Sequence, residues 1–369
     1  MNRLFRWDQM GLFLLALAAG ILPFAVPEVC AAALREGLTL CSGPLLLSLF
    51  PFLVVSRLLI QCPESDLLAL PFRLAAWGIG IRTPCAARVL CIGFLGGFAP
   101  AASAAAQAVR TGQLTAEEAD ALLPACICSG PSFVVLTVGQ SLLGSTELGV
   151  LLFASQITAN YLTAALLNRF AGVRSVKPGS AAPASPAPPR LDEILADAAI
   201  TYCKLCGFIL FFRMLAAGAG ALLPAGAGTL CSILLEVCSG CDLASRTGRW
   251  GSLLCCAALS VQGLSVLLQV RTICPPEMTL RPLYRARMLH LPLSLALFYL
   301  LLPGGEADVF STLPARVFLM RRVPPDCALL VFAVCCMAAC TLRSGIRQVE
   351  QKQMARNAGG CCINSKTLL

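Results

Sequence analysis

Three charged side chains stand inside apolar runs of this sequence: Arg57 in FPFLVVSRLL, Arg213 in FILFFRML and Glu236 in ILLEV. An unpaired arginine at the centre of a bilayer costs at least about 2.5–3.5 kcal/mol, so each needs an anion to meet or an interface to snorkel towards. That anion could be a solute or an acid of the chain itself. A carboxylate-bearing solute suits guanidinium groups, which bind carboxylates through bidentate, charge-assisted bonds. Glu236 lies between Leu235 and Val237. Buried and ionised, it needs a cationic partner, a coupling cation or a proton. Arg213 is the internal candidate for a structural pair; substrate contact and ion coupling are the functional roles.

Four apolar runs carry helix-breaking or polar residues at mid-length. They are Gly97, Pro100 and Ser103 in GFLGGFAPAAS; Ser129, Gly130, Pro131 and Ser132 in CSGPS; Ser239 and Gly240, beside Glu236, in LLEVCSGCD; and Ser260, Gln262 and Gly263 in LSVQGLS. Irregular backbone at membrane depth is tolerated only where protein or a water-filled cavity satisfies its N–H and C=O groups. A half-helix that starts there presents free N–H groups and a positive dipole end to an anion. With the three charges, these residues form the candidate substrate-binding set; the competing reading is that serine and glycine let helices pack closely. Gln156 and Asn160 read as interhelical glue. His290, beside Arg287, reads as a residue near the start of a helix.

The elements that must position these groups follow from composition. The chain has 369 residues, 57% hydrophobic and 13% charged, with 28 bases and 19 acids. Soluble chains run near 45–50% apolar and about 25% charged, so too few charges exist to cover soluble domains. Charge-free runs long enough to approach the roughly 20 residues of a spanning helix occur at Gly11–Pro27, Gly37–Ser56, Val89–Val109, Ala121–Thr146, Leu148–Asn168, Met214–Leu235, Gly251–Val270, Met288–Gly305 and Cys327–Leu342. The bases fall between them: Arg3 and Arg6; Arg73, Arg82 and Arg88; Arg169 to Arg190; Arg271, Arg281, Arg285 and Arg287; and the tail from Arg343. All these clusters can face the cytoplasm, as the positive-inside rule asks, if the segments near 89–110 and 228–245 enter and leave on one side. The expected fold class is an all-α polytopic membrane protein with about eight crossings, two re-entrant or broken helices and two inverted repeats.

A Pro-, Ala- and Ser-rich stretch, 171–190, reads as a cytoplasmic linker. It separates a first unit, 37–170, from a second, 191–303. An N-terminal helix and connection occupy 1–36, an extra loop and last helix 304–342, and a basic tail 343–369. The halves share an order of features: Phe52–Arg57 resembles Phe208–Arg213, the broken run from Cys91 matches that from Cys231, and Ser129 falls opposite Ser260. Inverted repeats with broken helices are a transporter signature.

Of the 21 cysteines, most lie in apolar runs, where a free thiol packs as a small hydrophobe. The C-x-x-C pairs Cys203/Cys206 and Cys238/Cys241 have no histidine near them, and the one histidine is His290, so packing is favoured over zinc or redox chemistry. No nucleotide-binding loop, metalloprotease motif or nucleophile elbow occurs. An enzyme is not expected, no cofactor is implied beyond a coupling cation or proton, and bases that are not interleaved with aromatics argue against nucleic acid.

The runs LSLFPFLVVSRLL, GFLGGFAPAASAA, TAEEADALL, CSGPSFVVLTVG, LLFASQITANYLTAALL and, in the second half, CGFILFFRML, LLEVCSGC, LSVQGLSVLLQV and YRARMLHLPLSLALFYLLL resemble the sporulation integral membrane protein YlbJ family, over roughly 37–303. Such proteins carry the nucleoside-recognition, or Gate, domain and look like part of a concentrative nucleoside transporter. The resemblance implies a carrier moving dipicolinic acid across a bacterial inner membrane, in the mother cell or outer forespore membrane, during sporulation. Around Gly96–Ser103 this chain lacks the family's lysine. A nucleoside or other small-solute carrier, and a non-transporting sporulation scaffold, remain alternatives. The expected partners are a small anionic solute and the bilayer.

Overall fold

Proline and glycine decide where this apolar chain starts and stops its helices. In the computed structural model the described residues are 2–171 and 191–302, and every regular element among them is helical. The first three helices are α1 (Asn2–Ala25), α2 (Pro27–Ser42) and α3 (Pro44–Gln61). Pro27, Pro44 and Pro84 open their helices, where a missing N–H costs nothing. Then come α4 (Leu70–Gly78), α5 (Pro84–Gly96), α6 (Phe98–Arg110), α7 (Ala116–Cys126), a π-helix (Ser132–Leu142) and α8 (Thr146–Ala171). Thr115 and Glu118 form a capping box at the start of α7.

The second group follows residue 190. A long helix, α9 (Leu191–Leu222), precedes α10 (Ala225–Leu235), α11 (Val237–Ser245), α12 (Gly251–Val261), α13 (Gly263–Ile273) and α14 (Arg281–Leu301). Four helical stretches are long and apolar enough to cross a membrane: Pro27–Leu47, Thr146–Ala171, Leu191–Leu222 and Gly248–Ile273. Large apolar side chains face outwards, with Phe170 81% and Leu300 77% exposed. Such an exterior fits lipid and would be a liability in water. The interior is built from small residues; Ala99, Ala101, Ala102, Ala104, Ala105 and Ala108 of α6 are fully buried, so neighbouring backbones approach closely.

Two expected spans are not continuous. The run Gly37–Ser56 is interrupted at Gly43, where α2 gives way to α3, and Met214–Leu235 is interrupted before Pro224, which caps α10. The last expected span, Cys327–Leu342, lies outside the described residues, as do the basic tail and nearly all of the linker. Many cysteines pack between helices, Cys85, Cys241, Cys255 and Cys256 among them. Among the described residues no group of three or more His, Cys, Asp and Glu side chains could hold a metal.

Candidate functional site: a junction of four helix breaks

The four interrupted runs form two kinds of element. Helices α5 and α6 fold back on each other around Gly97, so a Cβ at Gly93 would lie 3.2 Å from that of Ala101. Helices α10 and α11 do the same around Glu236, where a Cβ at Gly240 would lie 2.8 Å from Cα of Ile233. By contrast, α7 and the π-helix do not pack side by side, and neither do α12 and α13. Each of these pairs is one broken helix that carries on past its break.

The breaks meet. Gly97 has φ 81°, and a Cβ there would stand 2.7 Å from the backbone N of Gly130, so only glycine allows the first hairpin tip to touch the first broken helix. Gly263 has φ 70°, and a Cβ there would stand 3.0 Å from the backbone N of Glu236. Between these two contacts, Gln262 Nε2 donates to Ser129 Oγ at 3.4 Å and to the Leu259 carbonyl at 2.6 Å. Gln262 itself has φ 65°, a left-handed conformation that costs a non-glycine residue roughly 1–2 kcal/mol. Gly97, Gly130, Ser129, Gln262, Gly263 and Glu236 therefore form one chain of contacts through the interior. Ser129, Gln262 and Glu236 are all buried.

Two charges flank this junction, each set against helix ends of opposite polarity. Glu236 caps α11, its carboxylate accepting from the backbone N–H of Cys238 at 2.8 Å and of Ser239 at 2.7 Å, and from Ser239 Oγ at 2.8 Å. The positive end of that short helix stabilises the carboxylate. Arg287 lies on the other side. Its guanidinium donates to the carbonyls of Ile127 at 2.6 Å and Ser260 at 3.3 Å, and to Asn160 Oδ1 at 3.4 Å. Ile127 caps the C-terminus of α7 and Ser260 lies in the last turn of α12. The cation thus sits at the negative ends of two half-helices, where positive charge is favoured.

No carboxylate pairs with Arg287 among the described residues, although it is only 8% exposed. Its Nε and the Oε1 atoms of Gln156 and Gln262 are buried without hydrogen-bond partners. Around it, Gln156 Nε2 donates to Ser260 Oγ at 2.9 Å, Asn160 Nδ2 donates to the Ile127 carbonyl at 3.3 Å, and His290 Nε2 meets the Gln156 carbonyl at 3.2 Å. Both Nη groups of Arg287 are thus bonded to the chain itself, and its Nε is the donor left without a partner.

Of the candidates named from sequence, the junction unites Gly97, Ser129, Gly130, Glu236, Gln262 and Gly263. Pro100 lies in the first turn of α6 against Gly96, and Pro131 and Ser132 open the π-helix. Ser239 binds Glu236, and Gly240 lets α11 approach α10. Ser260 bonds to Cys256, Gln156 and Ser294. Ser103 stands apart, lining a surface cleft. Arg57 also stands apart from the junction, whereas Arg213 is near enough to Glu236 to interact with it electrostatically; both hydrogen-bond to other acids, Arg57 to Asp197 and Arg213 to Glu36 at 2.7 Å. Glu36, not Glu236, is thus the hydrogen-bonded carboxylate partner of Arg213.

The charge that reaches the junction, Arg287, was expected in a surface cluster that sets topology. The cluster instead forms the first turns of α14, with Arg281 and Arg285 outside and Arg287 inside; His290 follows as a mid-helix residue. The stripe Leu283, Arg287, His290, Ser294, all buried, has the three- and four-residue spacing of one helix face, and that spacing is the signal that would have placed Arg287.

Comparison of the chain with protein-family profiles, with curated proteins and with solved structures returns no match.

Proposed function

We propose that the chain is a membrane carrier for a small anionic solute, which binds beside Arg287 at the junction and crosses by alternating access. The observation that carries this reading is the meeting of four helix breaks, two of them bonded to a buried cation with no carboxylate partner among the described residues. Broken helices that converge inside the protein are how carriers place substrate groups against half-helix ends. A scaffold would have no use for the unpartnered polar atoms and the left-handed Gln262, which cost stability.

In this reading the chain is built from two inverted repeats and resembles part of a concentrative nucleoside transporter. The hairpins 84–110 and 225–245 are the re-entrant elements, the broken helices 116–142 and 251–273 cross, and about eight crossings result. The solute's carboxylate takes a share of the Arg287 donors now given to carbonyls, and Gln262 and Ser129 orient its remainder. Glu236 is the group through which a coupling proton or cation would act. On the family resemblance, dipicolinate is the first solute to test, and the cell membrane of a sporulating bacterium, mother-cell or outer forespore, is the expected location. The Gln262 amide beside Ser129 also suits a neutral nucleoside, which is the second reading.

The test is uptake into proteoliposomes holding the purified full-length chain, with dipicolinate, a simple aromatic monocarboxylate and uridine supplied in turn. Accumulation of dipicolinate above protein-free liposomes supports the anion reading. Accumulation of uridine alone selects the second reading, and accumulation of none of them under an imposed proton or sodium gradient contradicts transport of these solutes.

A further inference from the structure

Away from the junction, α3, α6, α9 and α13 come together at one surface and leave a cleft of ≈ 170 Å³ between them. Its charged lining is unbalanced: Arg57, Arg110 and Lys204 against Asp197, three cations to one carboxylate. Asp197 is largely used by Arg57, whose Nη1 and Nη2 donate to Asp197 Oδ2 and Thr201 Oγ1. Arg57 is nevertheless 8% exposed with its Nε buried and unpartnered. Arg110 and Lys204 are exposed at the rim, and neither makes an ion pair among the described residues. Hydroxyls of Ser103, Thr201 and Thr272 complete the polar lining.

The place of the cleft narrows the ligand. It lies at the C-terminal ends of α6 and α13 and the beginning of α9, the helix that follows the base-bearing linker, so the positive-inside rule sets it at the cytoplasmic surface. Ile200 of α9, in its lining, is exposed, presenting apolar surface where an acyl chain would run. Cytoplasmic leaflets carry anionic lipids, and basic pockets between helices on that side hold their headgroups. Carboxylates can also bind guanidinium, but the mixture of two arginine forks, a point-charge lysine and several hydroxyls suits the many acceptor oxygens of a phosphate group.

We infer that this cleft is a binding site for a phosphate group, supplied by the headgroup of an anionic phospholipid. The site is separate from the junction and does not depend on what the protein transports. Arg57 and Arg110 grip the phosphate, Lys204 adds charge at the rim, and Asp197 holds Arg57 in place while weakening the site's net attraction. In this account Arg57 and Ser103, which the sequence placed in the transport path, serve the lipid site.

The experiment is native mass spectrometry of the full-length protein in neutral detergent, titrated with phosphatidylglycerol or phosphatidylcholine of matched chains. A parallel thermal-melting series compares inorganic phosphate with chloride at matched ionic strength. The wild type should bind phosphatidylglycerol about tenfold more than phosphatidylcholine, and Arg110→Gln/Lys204→Gln should abolish that preference. Arg281→Gln/Arg285→Gln removes the same charge elsewhere and should leave the preference intact, whereas Asp197→Asn should increase it. If only inorganic phosphate stabilises the wild type, and the Arg110/Lys204 variant loses the effect, the phosphate chemistry stands with a soluble source in place of a lipid. Equal binding of both lipids with no effect of phosphate overturns the site, as does an equal loss in the Arg281/Arg285 control.

Discussion

The two hairpin tips meet the two broken helices in different chemistry. At the first, glycine touches glycine: Gly97 stands against Gly130 with no side chain on either. At the second, Gly263 stands against the backbone of Leu235 and Glu236, and the Glu236 carboxylate turns to cap α11. Both contacts are made by backbone, yet only the second tip carries a charged side chain. The junction is therefore asymmetric, with Glu236 held by a helix N-terminus at one tip and Arg287 held by two helix C-termini near the break of the first broken helix. Its chemistry comes from single residues.

The contrast predicts a graded set of losses. Gly97→Val should be the most damaging, because its Cβ would meet backbone at 2.7 Å in a left-handed conformation. Strain and overpacking together exceed about 3 kcal/mol, and the folded fraction in detergent chromatography should collapse. Gly263→Ala has slightly more room, at 3.0 Å, and its destabilisation should be about 1–2 kcal/mol, read as a lowered melting midpoint. A Gly263→Ala loss equal to that of Gly97→Val would mean that the two tips are equally tight.

Glu236→Gln keeps an acceptor for α11 but removes the charge that its helix end favours. A stability loss of about 0.5–1 kcal/mol follows, small enough to leave the protein folded while any coupling through the carboxylate disappears. Arg213→Gln removes none of the junction's hydrogen bonds, though it takes away a positive charge near Glu236, and should cost least. Arg213 is buried but its partner Glu36 is 65% exposed at the side chain, so water solvates that carboxylate when the pair is lost and the cost should stay at about 1 kcal/mol. Transport should persist, and a complete loss in a folded Arg213→Gln protein would return that arginine to the solute path.

How much of this could be read from the sequence depends on range. The breaks at Gly97, Gly130 and Gly263 are announced by glycine and proline inside apolar runs, because those residue types act on their own backbone. Glu236 stood out for the same local reason. The partners of Arg57 and Arg213 did not, since Asp197 and Glu36 lie 140 and 177 residues away and look like ordinary charges beside apolar runs. Arg287 was hidden among neighbouring arginines. Only its phase on α14, shared with Leu283, His290 and Ser294, separates it from Arg281 and Arg285, and charge counting averages over that phase. The splits at Gly43 and Pro224 were missed because hydropathy alone does not register a turn.

The central claim is that Arg287 is the solute-binding charge, and it is tested most directly by dipicolinate uptake in proteoliposomes of Arg287→Lys and Arg287→Gln beside wild type, with melting midpoints measured on the same preparations. Arg287→Lys keeps the charge but loses the guanidinium fork, so the KM should rise while the protein stays folded; Arg287→Gln should lose uptake by about tenfold or more. Unchanged uptake by folded Arg287→Gln would contradict the account and move the solute path away from the junction.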